Sequence, residues 1–164
     1  MKTLFLLRHA KAENAAPGST DLNRALNERG KTEAEAIGTF LKKQDLKFDF
    51  VLCSTAVRAR ETAELVLAAA ELAPNLRYDE RIYEAGPLRL LEVISESEKD
   101  GSAVLVVGHN PGMEELLRIL TGRNEQMATG TLAKIDLNAG EWNKVREGDA
   151  SLDWIVKPKE LAAG

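Results

Sequence analysis

Three short apolar runs, each broken off by polar residues, constrain this chain more than any other feature. Residues 3–7, 48–53 and 104–107 are too short for helices and are rich in Val, Leu and Phe. Runs of this kind read as strands covered on both faces. Between them the apolar positions change to a helical spacing. Ala34, Ile37 and Leu41 share one face of a segment from about Gly30 to Lys43, with Asn27 as its N-cap. Ala59, Ala63, Val66 and Ala70 do the same from about Ala56 to Leu72, behind Ser54-Thr55 as a cap.

Further along, Pro74-Asn75 ends the second helix and residues 76–78 form a short strand. Pro87 opens a helix carrying Leu88, Leu91 and Ile94, and Pro111 opens one carrying Met113, Leu116, Leu117 and Leu120. Residues 14–24 are a loop by composition. Residues 131–137 and 152–156 are extended strands around a turn at Asn138-Ala139-Gly140. Strands alternating with helices imply an α/β fold, a three-layer α/β/α sandwich around a mostly parallel sheet. The length of 164 residues suits one domain spanning 1–164, with no linker or internal repeat.

Two of the strand ends carry the only histidines of the chain, His9 and His109. Ligands of open parallel sheets bind just beyond the carboxyl ends of the strands. The pair therefore points to one site assembled from distant segments. Composition narrows its ligand. A net charge of −4, from 22 basic and 26 acidic residues, argues against nucleic acid, which needs a concentrated basic face. No stretch approaches a membrane span, and the N-terminal apolar run is too short for a signal segment. The single cysteine, Cys53, excludes an internal disulfide and suits a reducing cytoplasm. It reads as a small buried hydrophobe.

Arg8-His9 is a workable device for attack on phosphorus: the guanidinium grips phosphoryl oxygens while a neutral imidazole nitrogen attacks. For that role the second ring N–H must be held by a carbonyl or carboxylate. On the dipeptide alone, a strand-end ion pair is the simpler reading. Arg58 sharpens the case, because it falls in the first turn of a predicted helix, where the macrodipole disfavours a cation. A bound anion removes the conflict. Arg60 is read as solvent-facing or paired with Glu61 and Glu64. His109 sits in Gly108-His109-Asn110-Pro111-Gly112, a strand-to-helix turn with little bulk, and suits a phosphate ligand. Glu84 precedes another loop-to-helix transition and is a candidate general acid. A metal site is set aside: the two histidines lack ligand spacing, and the arginines would repel a cation. No cofactor is called for.

These segments together resemble the histidine phosphatase superfamily, with its phosphoglycerate-mutase-like fold, and within it the SixA-type phosphohistidine phosphatases. The carriers, in chain order, are Leu7-Arg8-His9-Ala10-Lys11-Ala12, Arg24-Ala25-Leu26-Asn27-Glu28-Arg29-Gly30, Ser54-Thr55-Ala56-Val57-Arg58-Ala59-Arg60-Glu61-Thr62, Tyr83-Glu84-Ala85 and Val107-Gly108-His109-Asn110-Pro111-Gly112. The resemblance implies that His9 is a nucleophile forming a transient phosphohistidine. It makes Arg8, Arg58 and His109 the phosphate pocket. Glu84 aligns with the carboxylic acid of the mutase-like branch, and Asn14 is a candidate phosphate contact although its offset from His9 differs. Ala10 stands where glycine is commonest in the family.

The expected substrate is a phosphorylated one, a phosphohistidine-bearing phosphotransfer protein, with small phosphate esters as the alternative. A sugar-phosphate mutase is disfavoured, because only 25 positions separate Glu84 from His109 and leave little room for a cap. A non-catalytic phosphate-binding module would not need His9. Nothing in the sequence points to an obligate interface, which is compatible with a monomer.

Overall fold

A computed structural model describes residues 2–162. Its centre is a six-stranded sheet in the order β3-β2-β4-β1-β5-β6. The strands are β1 (Lys2–Arg8), β2 (Phe50–Cys53), β3 (Asn75–Tyr78), β4 (Ala103–Gly108), β5 (Leu132–Leu137) and β6 (Ala150–Val156). The helices are α1 (Glu28–Lys43), α2 (Val57–Ala70), α3 (Pro87–Ser95), α4 (Gly112–Thr121) and α5 (Pro158–Ala162). Strands β1 to β4 pair in parallel, whereas β5 runs antiparallel to both β1 and β6. No helix among the described residues is long and apolar enough to cross a membrane.

Alternation along the central strands builds two cores. Phe5, Leu7, Val51, Cys53, Leu105 and Val107 face α1 and α2. Leu4, Leu6, Leu52, Val104 and Val106 face α3 and α4. Burial on both faces explains why these strands read as unbroken apolar runs. The layers also explain the site. The chain leaves β1 and β2 toward the α1/α2 face but leaves β4 toward the α4 face. Adjacent outgoing connections therefore part on both sides of β4, and a crevice lies beyond its carboxyl end, lined by residues that follow β2, β3 and β4.

Local chemistry sets most helix ends. Asn27 caps α1, its side-chain oxygen accepting the Gly30 N–H at 2.8 Å. Gly30 must lack a side chain, since a Cβ there would lie 2.0 Å from the Lys11 carbonyl oxygen. Two expectations need correction. Helix α2 begins at Val57 with Ala56 at its N-cap and no side-chain cap; the Ser54 oxygen accepts the Ala56 N–H, ahead of the helix's own free amides, and also meets His109. The connection between β5 and β6 is longer than a tight turn at Asn138-Ala139-Gly140. It runs through a 3₁₀ turn at Trp142–Lys144, anchored by buried Trp142 donating its indole N–H to the Gly101 carbonyl at 2.8 Å.

Candidate active site

Register brings the site together. Arg8 of β1 lies opposite Gly108 of β4, and Cys53 of β2 lies opposite Val107. The next residue on each strand continues the ladder: His9 N–H donates to the Gly108 carbonyl and Ser54 N–H to the Val107 carbonyl, both at 3.0 Å. His109 therefore stands between His9 on one side and Ser54 on the other. The two imidazole centroids are 5.1 Å apart, and both rings are buried.

Each ring is fixed by a different partner. His9 Nδ1 lies 2.8 Å from the Ala10 carbonyl oxygen. A carbonyl only accepts, so Nδ1 carries the proton and Nε2 is left with a bare lone pair. The Ala10 N–H in turn donates to Thr62 Oγ1 at 3.0 Å, and Thr62 donates to the Arg58 carbonyl at 2.6 Å. That chain of bonds ties the His9 backbone to the first turn of α2. On the other side, His109 Nε2 lies 2.8 Å from Ser54 Oγ.

Burial, with Arg58 and Arg8 nearby, pushes His9 down to about 4. Burial together with His9 and Arg58 pushes His109 down to about 3. Both rings are accordingly neutral at pH 7.

The arginines are also held by backbone. Arg8 donates from Nη1 to the Met127 carbonyl at 3.0 Å, an acceptor shared with the Asn110 side chain at 2.9 Å. Glu114 completes that corner by accepting from Asn110 Nδ2 at 2.7 Å and from Met127 N at 2.8 Å. Arg58 is buried, and Asp21 takes both of its terminal nitrogens: the carbonyl oxygen at 2.8 Å and Oδ2 at 3.0 Å. The cation near the α2 N-terminus is thus balanced by a carboxylate of the same chain. Among the described residues, Arg8 Nε, Arg58 Nε and His109 Nδ1 are buried without any hydrogen-bond partner. Asn110 Oδ1, an acceptor, is likewise without a partner. Orphaned donors on two arginines and a histidine are the kind of groups an oxyanion satisfies.

The sequence profile of the histidine phosphatase superfamily (branch 1) matches residues 4–89. The chain belongs to this superfamily. It is a phosphatase with the phosphoglycerate-mutase-like fold. An uncharacterised protein of Mycobacterium tuberculosis is 35% identical over 93% of this chain and 100% of its own length. Two solved structures, from Nakamurella multipartitia and Agrobacterium tumefaciens, are assigned as the phosphohistidine phosphatase SixA. The first is 30% identical, with a TM-score of 0.84 over 96% of both chains. The second is 31% identical, with a TM-score of 0.83 over 96% of this chain and 98% of that one.

Within this histidine phosphatase the other expected residues separate. Glu84 is exposed and lines a cleft of about 480 Å³ together with Asp21, Arg58, His109 and Asn110. Its backbone is left-handed, with φ 55°, a strained conformation for glutamate. Gly112 permits the cleft wall to close: a Cβ there would lie 2.1 Å from the Ala85 carbonyl oxygen. Asn14 is exposed in the loop after β1 and hydrogen-bonds to none of these residues. Arg60 is exposed and stacks over the Tyr78 ring at 4.9 Å, rather than pairing with Glu61 or Glu64.

Asp21 and Tyr83 are the residues that sequence reasoning missed. Tyr83 donates its hydroxyl to Asp21 Oδ2 at 2.6 Å and packs edge-on against His109, with centroids 5.5 Å apart. Arg24 binds the other carboxylate oxygen at 3.0 Å. The Tyr83 and Arg24 bonds, with Arg58 close by, hold Asp21 well below the usual carboxylate range. The same bond to Asp21 pushes Tyr83 up to about 12. The spacing of Asp21 and Arg24, three residues apart in a polar loop, was the one local signal available.

Proposed function

We propose that this histidine phosphatase works without a metal, passes the phosphoryl group through His9 and acts on phosphohistidine carried by a protein. One observation carries the reading: a bare imidazole nitrogen on His9 beside three buried, unpartnered nitrogens on Arg8, Arg58 and His109. The first is a nucleophile, and the other three are ligands for the oxygens it attacks between. Positive charge comes from the two arginines, where a metal cation would be repelled.

Two transfers follow. His9 Nε2 attacks phosphorus, and the new N–P bond forms as the bond to the leaving group breaks. Arg8, Arg58 and His109 hold the three non-bridging oxygens, which suits a loose transition state stabilised by positioning and charge. The leaving imidazole takes up a proton from solvent at the cleft, and the proton later shed by the attacking water returns to solvent. Water then attacks the phosphohistidine, its proton departing through Glu84, and inorganic phosphate leaves with His9 restored. The buried free thiol of Cys53 fits a cytoplasmic setting.

A protein substrate is supported by the two neighbours assigned as SixA and by the short chain between Glu84 and His109, which leaves no segment for a large cap. Glu84 at the cleft favours a second reading, small phosphate esters, whose poor leaving groups need an acid. Hydrolysis of a phosphohistidine-bearing phosphotransfer protein, measured beside a panel of phosphate esters, decides between them. A preference for the protein in kcat/KM is expected. A clear preference for the esters would reject the phosphohistidine assignment.

A further inference from the structure

Ser54 is fully buried at the carboxyl end of β2. Its hydroxyl oxygen has two partners among the described residues. It accepts the Ala56 N–H at 3.2 Å, and it lies 2.8 Å from His109 Nε2. A hydroxyl offers one proton and two lone pairs, and a neutral imidazole offers one N–H and one bare nitrogen. Only two assignments satisfy the contact between them.

In the first, His109 Nε2 carries the proton and donates to Ser54. The Ser54 oxygen then accepts twice, and its own proton is buried with no acceptor, which incurs the full desolvation penalty of an unmade bond. In addition, His109 Nδ1 becomes a bare lone pair, facing phosphoryl oxygens that are themselves acceptors. In the second, Ser54 donates to Nε2 while accepting from Ala56. Every group at Ser54 is then satisfied, and the ring proton sits on Nδ1, the buried nitrogen that lacks a protein partner.

We infer that Ser54 is a positioning residue that holds His109 as its Nδ1–H tautomer, so that His109 binds the phosphoryl group as a hydrogen-bond donor. This rests on the reading of His109 as a phosphoryl ligand. Burial beside His9 and Arg58 keeps the ring neutral, so it has a single proton to place. His9 carries its proton on the same ring atom, because the Ala10 carbonyl takes it there. The two imidazoles are the same tautomer and expose opposite chemistry. His9 presents a lone pair, and His109 presents an N–H. An acceptor partner on one and a donor partner on the other make the difference.

Long-range proton–nitrogen correlation spectra of protein labelled with ¹⁵N-histidine read this directly, since the chain has only two histidines. At neutral pH, wild-type His109 is expected to show a pyrrole-type Nδ1 and a pyridine-type Nε2. The reverse pattern in wild type overturns the inference without any variant. Ser54→Ala is expected to shift His109 toward the Nε2–H form. It should also lower kcat on p-nitrophenyl phosphate by about tenfold to a hundredfold, less than full removal of a donor. Ser54→Thr, which keeps the hydroxyl, is expected to restore both readouts. An unchanged spectrum and unchanged kcat in Ser54→Ala would reject the role. His109→Ala reports separately on the parent reading: full activity there would remove His109 from the phosphate pocket, whatever tautomer the spectrum shows.

Discussion

Acidification from pH 8 to pH 5 is expected to cost this protein about 4 kcal/mol of folding stability, nearly all of it through two side chains. His9 and His109 are buried and neutral in the folded protein, titrating at about 4 and about 3. In the unfolded chain each titrates near about 6.5. Below that value the unfolded state binds a proton that the folded state refuses, so stability falls with pH until the folded value is reached. The contribution is complete above about 6.5 and declines by about 1.4 kcal/mol per pH unit for each ring beneath it. At pH 5, about 1.5 units down, each ring has given up about 2 kcal/mol. A carboxylate held low, such as Asp21, loses its contribution only below about 4 and stays outside this window. Urea unfolding at the two pH values, followed by tryptophan fluorescence, measures the difference. His9→Gln should lose about half as much as wild type. A wild-type loss below about 1 kcal/mol would refute the claim that both imidazoles are desolvated and neutral.

Three further outcomes follow from the site. Arg58→Ala should lower kcat by about a hundredfold to a thousandfold, the scale of a lost transition-state donor, and steady-state kinetics with circular dichroism as a folding control test it. Glu84→Gln should slow hydrolysis of esters with poor leaving groups more than that of phosphohistidine, because both share the water-attack step and only the esters also need an acid; equal losses on both substrates would deny Glu84 a role specific to the leaving group. Asp21→Asn should let Tyr83 fall from about 12 toward the ordinary value near about 10, read by ultraviolet titration in a Tyr78→Phe background.

Much of this arrangement is legible in the sequence because it depends on local rules. The apolar runs of β1 and β4 exist because both sheet faces are covered, and each stops where its strand leaves the sheet at His9 or His109. Asn27 was readable as a cap because its partner is only three residues away. The requirement that a carbonyl hold one His9 nitrogen followed from nucleophile chemistry, and Ala10 supplies it.

What the sequence hid depends on contacts across long separations. Ser54 looks like a helix cap until His109, 55 residues on, takes its hydroxyl. Asp21 is one acid in a polar loop until folding sets it against Arg58 and Tyr83, 37 and 62 residues away. The anion expected beside Arg58 has a counterpart within the chain, the Asp21 carboxylate, which no local pattern announced. Trp142 likewise gave no sign that it would anchor the β5–β6 connection to Gly101.

The covalent step on His9 is the centre of the account, and a rapid-quench experiment with radiolabelled substrate tests it most directly. Wild-type protein should accumulate an acid-labile, base-stable phosphoenzyme that decays to inorganic phosphate, and His9→Gln should form none and turn over no substrate. Label retained on His9→Gln, or turnover by that variant at the wild-type rate, would contradict it.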